Sequence, residues 1–385
     1  MIRIHFNHIS LLLVAWLAFA GCNRQPTAAE DLQAIMDKYQ AVGMSVAVVK
    51  DNKLIYNESF GFKDLANKTP LRNDDIFRIA SISKSFTATS LMQQVEAGKL
   101  SLDDDVSDLV GFRIRNPKFP DTIITLRMIL SHTSSISDKN GYFTLDIINP
   151  DKNPEWSGSY NDYAPGTGYQ YCNLNFNLAG TILERISGER FDQYVKHHIL
   201  DPLGLYGGYD VDSLDNGKFA TLYTYNSDSA RFEASPEAYA SRSDSMTSYI
   251  MGYSTPIFSP TGGMKISAVD LARYMMMHMN YGTSENTAII SKESAQTMQT
   301  PLSDDEHYGL ALWTMDNLIP DKTMVGHTGS AYGLYSAMFF HPAEKFGLVV
   351  ITNGCNATFT DDFNDFLKES LNSLYTHHIT TDPSK

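Results

Sequence analysis

Ser81 and Lys84 stand three residues apart where an apolar pattern with helical spacing begins, and that pattern continues to Gly98. A serine hydroxyl is a weak nucleophile and needs a base within hydrogen-bond reach, either a histidine or, in Ser-Lys arrangements, a lysine. On a helix these two side chains lie one turn apart on the same face, and the positive end of the helix would favour a developing oxyanion. The spacing therefore predicts acyl transfer through Ser81, with a capping serine beside a solvated lysine as the alternative.

Two further polar clusters lie downstream of this pair. Residues 165–173 contain Tyr171 and Asn173, and residues 325–331 contain a His-Thr-Gly sequence that starts at His327. With the first pair they form Ser-x-x-Lys, Tyr-x-Asn and His-Thr-Gly in that order. On these motifs the sequence resembles the serine hydrolase family that includes class C β-lactamases, D-alanyl-D-alanine carboxypeptidases, D-aminopeptidases and certain esterases. Weaker matches to that family occur at residues 130–134, 201–204, 262–263 and 308–309, and the resemblance covers about residues 30–355.

The resemblance implies a role for each residue of the first two motifs. Ser81 would be the acylated nucleophile and Lys84 its proton partner. Tyr171 would relay protons to and from the leaving group, and Asn173 would hydrogen-bond to Lys84 and to the substrate amide. Free lysine and tyrosine both have pKa values near 10, so either needs a shift of about three units, roughly 4 kcal/mol, to act as a base near neutrality. Two routes are open: Lys84 could stabilise a Tyr171 phenolate, or burial could lower the pKa of the lysine.

The third motif would lie on a strand that lines the cleft. There the resemblance places His327, Thr328 and Gly329 beside the substrate, and the backbone N–H groups of Ser81 and Ser330 would form an oxyanion hole, typically worth roughly 3 to 4 kcal/mol. Class C β-lactamases usually carry lysine where this chain has His327, so we expect inefficient β-lactam hydrolysis. Because a histidine can lose its charge near neutral pH where a lysine would not, we expect any limb of the pH–rate profile near pH 6 to 7 to belong to His327 and to disappear in His327→Lys.

The elements that would position these motifs are predicted from hydrophobic periodicity. Strand-forming runs occur near the two ends of the chain, whereas residues 100–260 are rich in Asp, Asn, Gly and Tyr and are typical of a mostly helical insertion with long loops. We therefore predict an α+β fold in which the chain ends build one antiparallel sheet flanked by helices and the middle forms a mostly helical lobe, with a ligand cleft between them. The resemblance makes this fold β-lactamase/transpeptidase-like, with residues 30–380 as the hydrolase domain. The predicted helices include residues 30–39, 126–130, 178–200, 271–279 and 361–375, and the predicted strands are residues 44–50, 54–60, 308–314, 323–327, 335–341 and 346–353.

The amino terminus resembles a targeting segment. Residues 1–22 have a weakly basic start, an apolar run of about ten residues, which is shorter than a membrane span needs, and small residues before Cys22. Ala-Gly-Cys resembles a bacterial lipobox, so we expect Cys22 to be the lipid-modified first residue of the mature protein and residues 23–29 to be a tether, with a plain cleaved signal as the alternative. We expect a membrane-anchored lipoprotein of the bacterial cell envelope that faces the periplasm or the exterior. Cys172 and Cys355 are interpreted as free thiols.

Composition excludes some classes of partner. The chain has 385 residues, of which 43% are hydrophobic, enough for one large domain or two closely joined ones. A balance of 30 Lys and Arg against 44 Asp and Glu gives a net charge of −14, which argues against binding to nucleic acid or to anionic membrane surfaces. The histidines include no His-Glu-x-x-His pattern, so we expect neither a metal site nor a cofactor.

Three function hypotheses follow. The leading hypothesis is a serine hydrolase that cleaves a small-molecule or peptide substrate, namely a D-amino-acid peptide, an amide or an ester, through an acyl-enzyme. The second is an acyltransferase that passes the same acyl group to an alcohol or amine. The third is a non-catalytic penicillin-binding or sensor module, against which the complete proton relay argues.

Overall fold

A seven-stranded antiparallel sheet forms the centre of the protein. The computed structural model describes residues 25–303 and 306–380. The strands, in spatial order β4-β5-β6-β7-β1-β2-β3, join the two ends of the chain through the β7–β1 pair, as the sequence predicts. Their bounds are β1 (Gly43–Lys50), β2 (Lys53–Asp64), β3 (Thr69–Pro70), β4 (Trp313–Ile319), β5 (Lys322–Ala331), β6 (Leu334–His341) and β7 (Phe346–Thr352).

Helices cover both faces of this sheet. The terminal helices α1 and α10 pack against each other on one face, α8 packs on the opposite face, and α2 and α5 pack together in the same core as α8. The α-helices in the described ranges are α1 (Ala28–Lys38), α2 (Ser83–Glu96), α3 (Val106–Val110), α4 (Leu126–Leu130), α5 (Asn173–Ser187), α6 (Phe191–Val195), α7 (Ser243–Met246), α8 (Ala268–Met279), α9 (Lys292–Gln299) and α10 (Asp365–Tyr375).

The central strands are apolar because both of their faces are buried. In β1, Val46 and Val48 point into the core beneath α1 and α10, whereas Ala47 and Val49 point into the larger core that contains α2 and α8. Successive side chains of a strand alternate between faces, so a strand covered on both sides carries a continuous apolar run. The sheet therefore separates two cores, and the larger one supports the candidate site.

Several predicted elements are confirmed with small changes in their bounds. The hairpin between β1 and β2 turns through Asp51 and Asn52, whose φ angles of 50° and 61° suit a tight two-residue turn. The predicted start of α8 is also confirmed, because the Ser267 hydroxyl accepts a hydrogen bond from the backbone N–H of Asp270. Local pattern was sufficient at these positions.

Two predicted elements are wrong in extent. The strand predicted at residues 308–314 is β4, which starts only at Trp313, because the residues before it are buried in loop conformation around the site. The helix predicted over residues 178–200 is interrupted: α5 ends at Ser187, before Gly188 with its left-handed φ of 74°, and α6 and a π-helical turn follow. Residues 100–260 contain α3 to α7, short 3₁₀ turns, one β-hairpin and long loops.

A second, small sheet fixes the segment that leads to Ser81. Phe77–Arg78 and Gly207–Gly208 both pair with Lys265–Ile266, so the segment is attached to the chain middle and to the start of α8. Cys172 and Cys355 are buried free thiols. Within residues 25–303 and 306–380, no helix has both the length and the apolar character that a bilayer crossing requires. Residues 1–22, including Cys22, lie outside the described residues.

Candidate active site

Ser81 lies in a strained turn immediately before α2. The turn is a single 3₁₀ element, Ala80–Ile82, and Ala80 has a φ of 51°, a conformation that is uncommon outside glycine. A hydrogen bond of 3.0 Å from the Ser336 hydroxyl to the Ile79 carbonyl ties this turn to β6. The neighbouring sheet therefore holds the backbone in a conformation that presents Ser81 to the cleft.

Lys84 is buried beside Ser81 in the first turn of α2. Its Nζ lies 3.1 Å from Ser81 Oγ, 2.9 Å from Asn173 Oδ1 and 2.8 Å from the Thr261 carbonyl oxygen. Burial lowers the pKa of Lys84 to about 7, and the negative charge of Asp138 opposes that change. A neutral amine at this position can accept a proton from the serine, which favours the second of the two routes that the sequence left open.

Asn173 is oriented by a carboxylate that sequence analysis did not identify. The side-chain amide of Asn173 donates to Asp138 at 3.0 Å, which turns its Oδ1 toward Lys84 and toward the Thr261 hydroxyl at 2.8 Å. Asp138 also accepts from the backbone N–H groups of Asn173 and Leu174 at 2.8 and 3.0 Å. An acceptor at the amino terminus of α5 both caps the helix and interacts favourably with its dipole.

Tyr171 lies against Lys84, with its ring centroid 4.9 Å from the lysine Nζ. Burial raises the pKa of Tyr171 well above its usual value, and the hydrogen-bonding contribution of Ser81 opposes this only in part. The His132 ring also packs against Tyr171, with ring centroids 4.3 Å apart. Tyr171 is therefore a protonated phenol near neutral pH, and Lys84 is the group of this pair that can be neutral there.

His327 is held as a neutral imidazole. Its Nδ1 lies 2.5 Å from the Thr328 carbonyl oxygen, which can only accept, so Nδ1 carries the proton and Nε2 accepts from the Tyr308 hydroxyl at 3.1 Å. Burial, with a smaller effect from the charge of Lys84, lowers the pKa of His327 to about 3. The expectation that His327 titrates at about pH 6 to 7 is therefore wrong, because its position is desolvated and fully hydrogen-bonded.

The edge of β5 is open beside the serine. β4 pairs with β5 only as far as Gly326, so the following residues present a free edge to the cleft. Gly329 allows the close approach of the nucleophile turn, because a Cβ at this position would lie 2.2 Å from the Ile79 carbonyl oxygen. Ser330 lines the cleft together with Ser81. This position is compatible with the expected oxyanion hole, in which the backbone N–H groups of both residues would donate to the substrate carbonyl oxygen.

The cleft has a volume of about 480 Å³ and its outer wall is acidic. Trp313 and the neutral His327 line it near Thr328, and Glu306 and Asp362 line its rim. Of the described residues that line it, none is lysine or arginine. This side of the serine lacks a cation that could bind a carboxylate.

The structure brings the three predicted motifs into one site. Ser81, Lys84 and Asn173 are in direct contact, and Tyr171, His327, Thr328 and Ser330 line the cleft with Ser81. Sequence analysis missed Asp138, Thr261 and Ser336, which act on site residues from distant parts of the chain. No local pattern marks these three, because each contacts its partner across at least 35 positions. Tyr308, the partner of His327, was marked only by the weak family match at residues 308–309.

Comparisons with known proteins agree with this geometry. A family model described as Beta-lactamase matches residues 28–370. Penicillin-binding protein 4 of Amycolatopsis lactamdurans is 26% identical over 360 residues, which are 88% of this chain and 88% of that relative. Protein flp of Staphylococcus aureus strain MW2 is 24% identical over 89% of this chain, which spans only 65% of the length of that relative. The solved octameric penicillin-binding protein homologue from Pyrococcus abyssi superposes with a TM-score of 0.70 at 26% identity, over 91% of this chain and 75% of that one.

Proposed function

This chain belongs to the beta-lactamase family and has its transpeptidase-like α+β fold, and from that premise we propose that it is a serine hydrolase that works through an acyl-enzyme on Ser81. The observation that carries the proposal is the buried Lys84 amine, 3.1 Å from Ser81 Oγ and with a pKa of about 7. A lysine on a solvated surface would remain protonated at neutral pH and could not accept the serine proton.

In the proposed acylation, neutral Lys84 takes the proton from Ser81 while Oγ forms a bond to the substrate carbonyl carbon. The negative charge moves to the carbonyl oxygen, to which the backbone N–H groups of Ser81 and Ser330 donate. The tetrahedral intermediate then releases the leaving group, which takes a proton from Tyr171, and the Lys84 ammonium restores the tyrosine proton. Neutral Lys84 and a Ser81 ester remain.

Hydrolysis then repeats these transfers with water. Water attacks the ester carbonyl as its proton passes through Tyr171 to Lys84, and collapse of the second intermediate breaks the bond to Ser81 Oγ. Lys84 returns a proton to Ser81, and the free acid leaves. Asn173, fixed by Asp138, keeps Lys84 in position throughout this cycle.

We propose that the substrates are amides, esters or D-amino-acid peptides whose leaving group is neutral or cationic. Tyr171, which protonates the leaving group in the proposed cycle, lines the cleft together with Trp313 and neutral His327, so we assign this cleft to the leaving group. Glu306 and Asp362 would repel a terminal carboxylate there. A carboxypeptidase substrate and an opened β-lactam both carry a carboxylate. This charge distribution supports amidase or esterase activity over carboxypeptidase or β-lactamase activity.

A panel of matched substrates tests this proposal. N-acetyl-D-alanine amide, N-acetyl-D-alanine methyl ester, a peptide that ends in free D-alanyl-D-alanine and a β-lactam are incubated with the protein and with Ser81→Ala, and the products are identified by mass. We expect hydrolysis of the uncharged amide or ester by the unmodified protein only. Preferential cleavage of the free-carboxylate peptide would contradict the assignment of the leaving-group side, and a product formed only with an added alcohol would identify an acyltransferase.

We also propose that a lipid on Cys22 anchors the protein to a membrane of the bacterial cell envelope. The support is the Ala-Gly-Cys sequence after the apolar run. Expression of the full chain with a Cys22→Ser control, followed by membrane fractionation and mass measurement of the amino-terminal peptide, tests this. An amino-terminal peptide that begins elsewhere and carries no lipid would contradict it.

A further inference from the structure

A second cavity shares no lining residue with the acidic cleft and reaches the catalytic lysine through Thr261. It has a volume of about 230 Å³ and is lined by Arg78, Arg242, Tyr142, Tyr332 and Thr261, among others. Thr261 connects the cavity to the site, because its carbonyl oxygen accepts from Lys84 and its hydroxyl donates to Asn173. The cavity therefore lies directly behind the catalytic hydrogen bonds.

Both arginines of this cavity lack a carboxylate partner among the described residues. Arg78 is partly buried, and its guanidinium donates only to the carbonyl oxygens of Gly262 at 3.0 Å and Ala238 at 3.3 Å. It also lies 5.0 Å above the ring of Tyr332. The guanidinium of Arg242 makes no hydrogen bond or ion pair with any side chain in residues 25–303 and 306–380.

The charge around the two arginines is not compensated locally. Lys265 is buried beside them and donates to the Tyr209 carbonyl oxygen, and burial together with the charges of Arg78 and Arg242 lowers its pKa well below the usual value. Asp192 and Asp210, whose charges act on Lys265, both face Arg190, with contacts of 2.5 Å and 4.0 Å, and Asp138, whose charge acts on Tyr142, is hydrogen-bonded to Asn173. An unpaired buried or half-buried cation is costly, so an anion that enters this cavity would gain a charge-assisted interaction without displacing an existing ion pair.

The direction of β5 places this cavity on the acyl side of the substrate. The strand runs from His327 and Thr328, which line the acidic cleft, past Ser330 to its end at Ala331, and the next residue, Tyr332, lines the second cavity. If Tyr171 protonates the leaving group, as proposed above, then the acyl group extends in the opposite direction, toward Arg78 and Arg242. This step rests on the proposed function.

We propose that Arg78 and Arg242 bind a carboxylate carried by the acyl portion of the substrate. A planar guanidinium matches a carboxylate in geometry, and the hydroxyls of Tyr142 and Tyr332 can complete its coordination. The preferred substrate then has an anionic acyl group and a neutral or cationic leaving group. The opposite charges of the two cavities would fix its orientation in the cleft.

Paired esters test the proposal. The p-nitrophenyl monoesters of adipic, pimelic and suberic acid, each with a free carboxylate on the acyl chain, are compared with the same compounds capped as methyl esters. For at least one chain length we expect kcat/KM to be about 10- to 100-fold higher for the free carboxylate. The Arg242→Gln variant should lose this preference, and Arg242→Lys should retain part of it.

The control variant is Arg231→Gln, which removes an exposed arginine from the strand Arg231–Ala234. It should keep the full preference for the free carboxylate. Binding without turnover separates this proposal from the catalytic one. Calorimetric titration of Ser81→Ala with monomethyl adipate, pimelate and suberate should show binding that Arg242→Gln weakens at least tenfold. The carboxylate assignment would be overturned by equal kcat/KM for free and capped esters or by an unchanged preference in Arg242→Gln. In the calorimetric titration, binding of inorganic phosphate but of none of the monoesters would overturn it, whether or not Ser81 proves catalytic.

Discussion

At the scale of single residues, Lys84 decides what Ser81 can do. Its amine is surrounded by Ser81, Asn173 and the Thr261 carbonyl, and burial lowers its pKa to about 7. Below that pH the ammonium form dominates and cannot accept the serine proton, whereas above it the neutral amine dominates. Burial raises the pKa of Tyr171, so this residue remains protonated. The two residues therefore take complementary acid and base roles in the proposed cycle.

The rate of acylation should rise with pH through a limb near pH 7 that belongs to Lys84. Because the pKa of His327 is lowered to about 3, the variant His327→Gln should keep this limb even if its rate falls. Stopped-flow acylation rates between about pH 5 and 9 provide the measurement. Loss of the limb in His327→Gln would show that the histidine, and not the lysine, titrates there.

Asp138 should affect the pH at which that limb occurs, although Asn173 stands between it and Lys84. Its negative charge raises the pKa of Lys84, so Asp138→Asn should move the limb to lower pH. Asparagine can still cap α5, which limits the structural effect of the change. The variant Asp162→Asn, at an exposed carboxylate, is the control and should leave the limb in place. A limb that moves to higher pH in Asp138→Asn would contradict this assignment.

At the scale of elements, the contact between β5 and the nucleophile turn positions Ser81. The contact is close because Gly329 has no side chain and because Ser336 donates to the Ile79 carbonyl. The turn itself is strained at Ala80, and such strain persists only where neighbouring structure holds it. The strand thus serves both as the wall of the cleft and as the support of the serine.

A methyl group at this contact should displace the nucleophile turn. In Gly329→Ala the new Cβ would lie 2.2 Å from the Ile79 carbonyl oxygen, so the backbone must move. We expect acylation to fall about 100-fold, as small misplacements of reacting groups do. Gly262→Ala is the matched control, because its Cβ would meet the same turn at an ordinary 3.6 Å. Equal acylation rates in the two variants would show that the close contact is not needed.

Sequence pattern predicted the parts of the site that local chemistry marks and missed those set by packing. The Ser81–Lys84 pair, the β1–β2 hairpin and the start of α8 follow from spacing, turn residues and capping, whereas the roles of the other two motifs come from the resemblance to a known family. Asp138 could not be found, because it lies 35 positions from the residue that it orients. The pKa of His327 also escaped prediction, since it depends on burial beneath aromatic rings that distant segments supply. The interruption of the predicted helix at Gly188 required knowledge of its backbone conformation.

At the scale of the whole molecule, the two chain ends close one sheet and the catalytic groups sit on only one side of it. The core beneath α1 and α10 contains no residue of the three motifs, whereas the opposite core includes the turn before Ser81 and the helices that carry Lys84 and Asn173. Stability and chemistry can therefore be separated by mutations on opposite faces of the sheet.

Truncation of a core residue in α10 should destabilise the fold without changing the site. Leu371 is fully buried beneath the sheet, so Leu371→Ala should lower the free energy of unfolding by about 2 to 5 kcal/mol. Lys368→Ala on the same helix is the control and should change it by less than about 0.5 kcal/mol. Denaturant unfolding gives both values. Below the unfolding transition, the acylation rate of Leu371→Ala should match that of the unmodified protein, and a large loss there would show that the two faces are coupled.

The acyl-enzyme on Ser81 is the central claim, and mass spectrometry can detect it directly. The protein is mixed with a p-nitrophenyl ester at a pH above 7, quenched in acid within the first turnover, and measured by intact mass and peptide mapping, beside Ser81→Ala and Lys84→Met. We predict that the protein gains one acyl group on Ser81, that Ser81→Ala gains none, and that Lys84→Met gains it at least 100-fold more slowly. An acyl group on another residue, or equally fast acylation of Lys84→Met, would contradict the assignment of Ser81 as the nucleophile and Lys84 as its base.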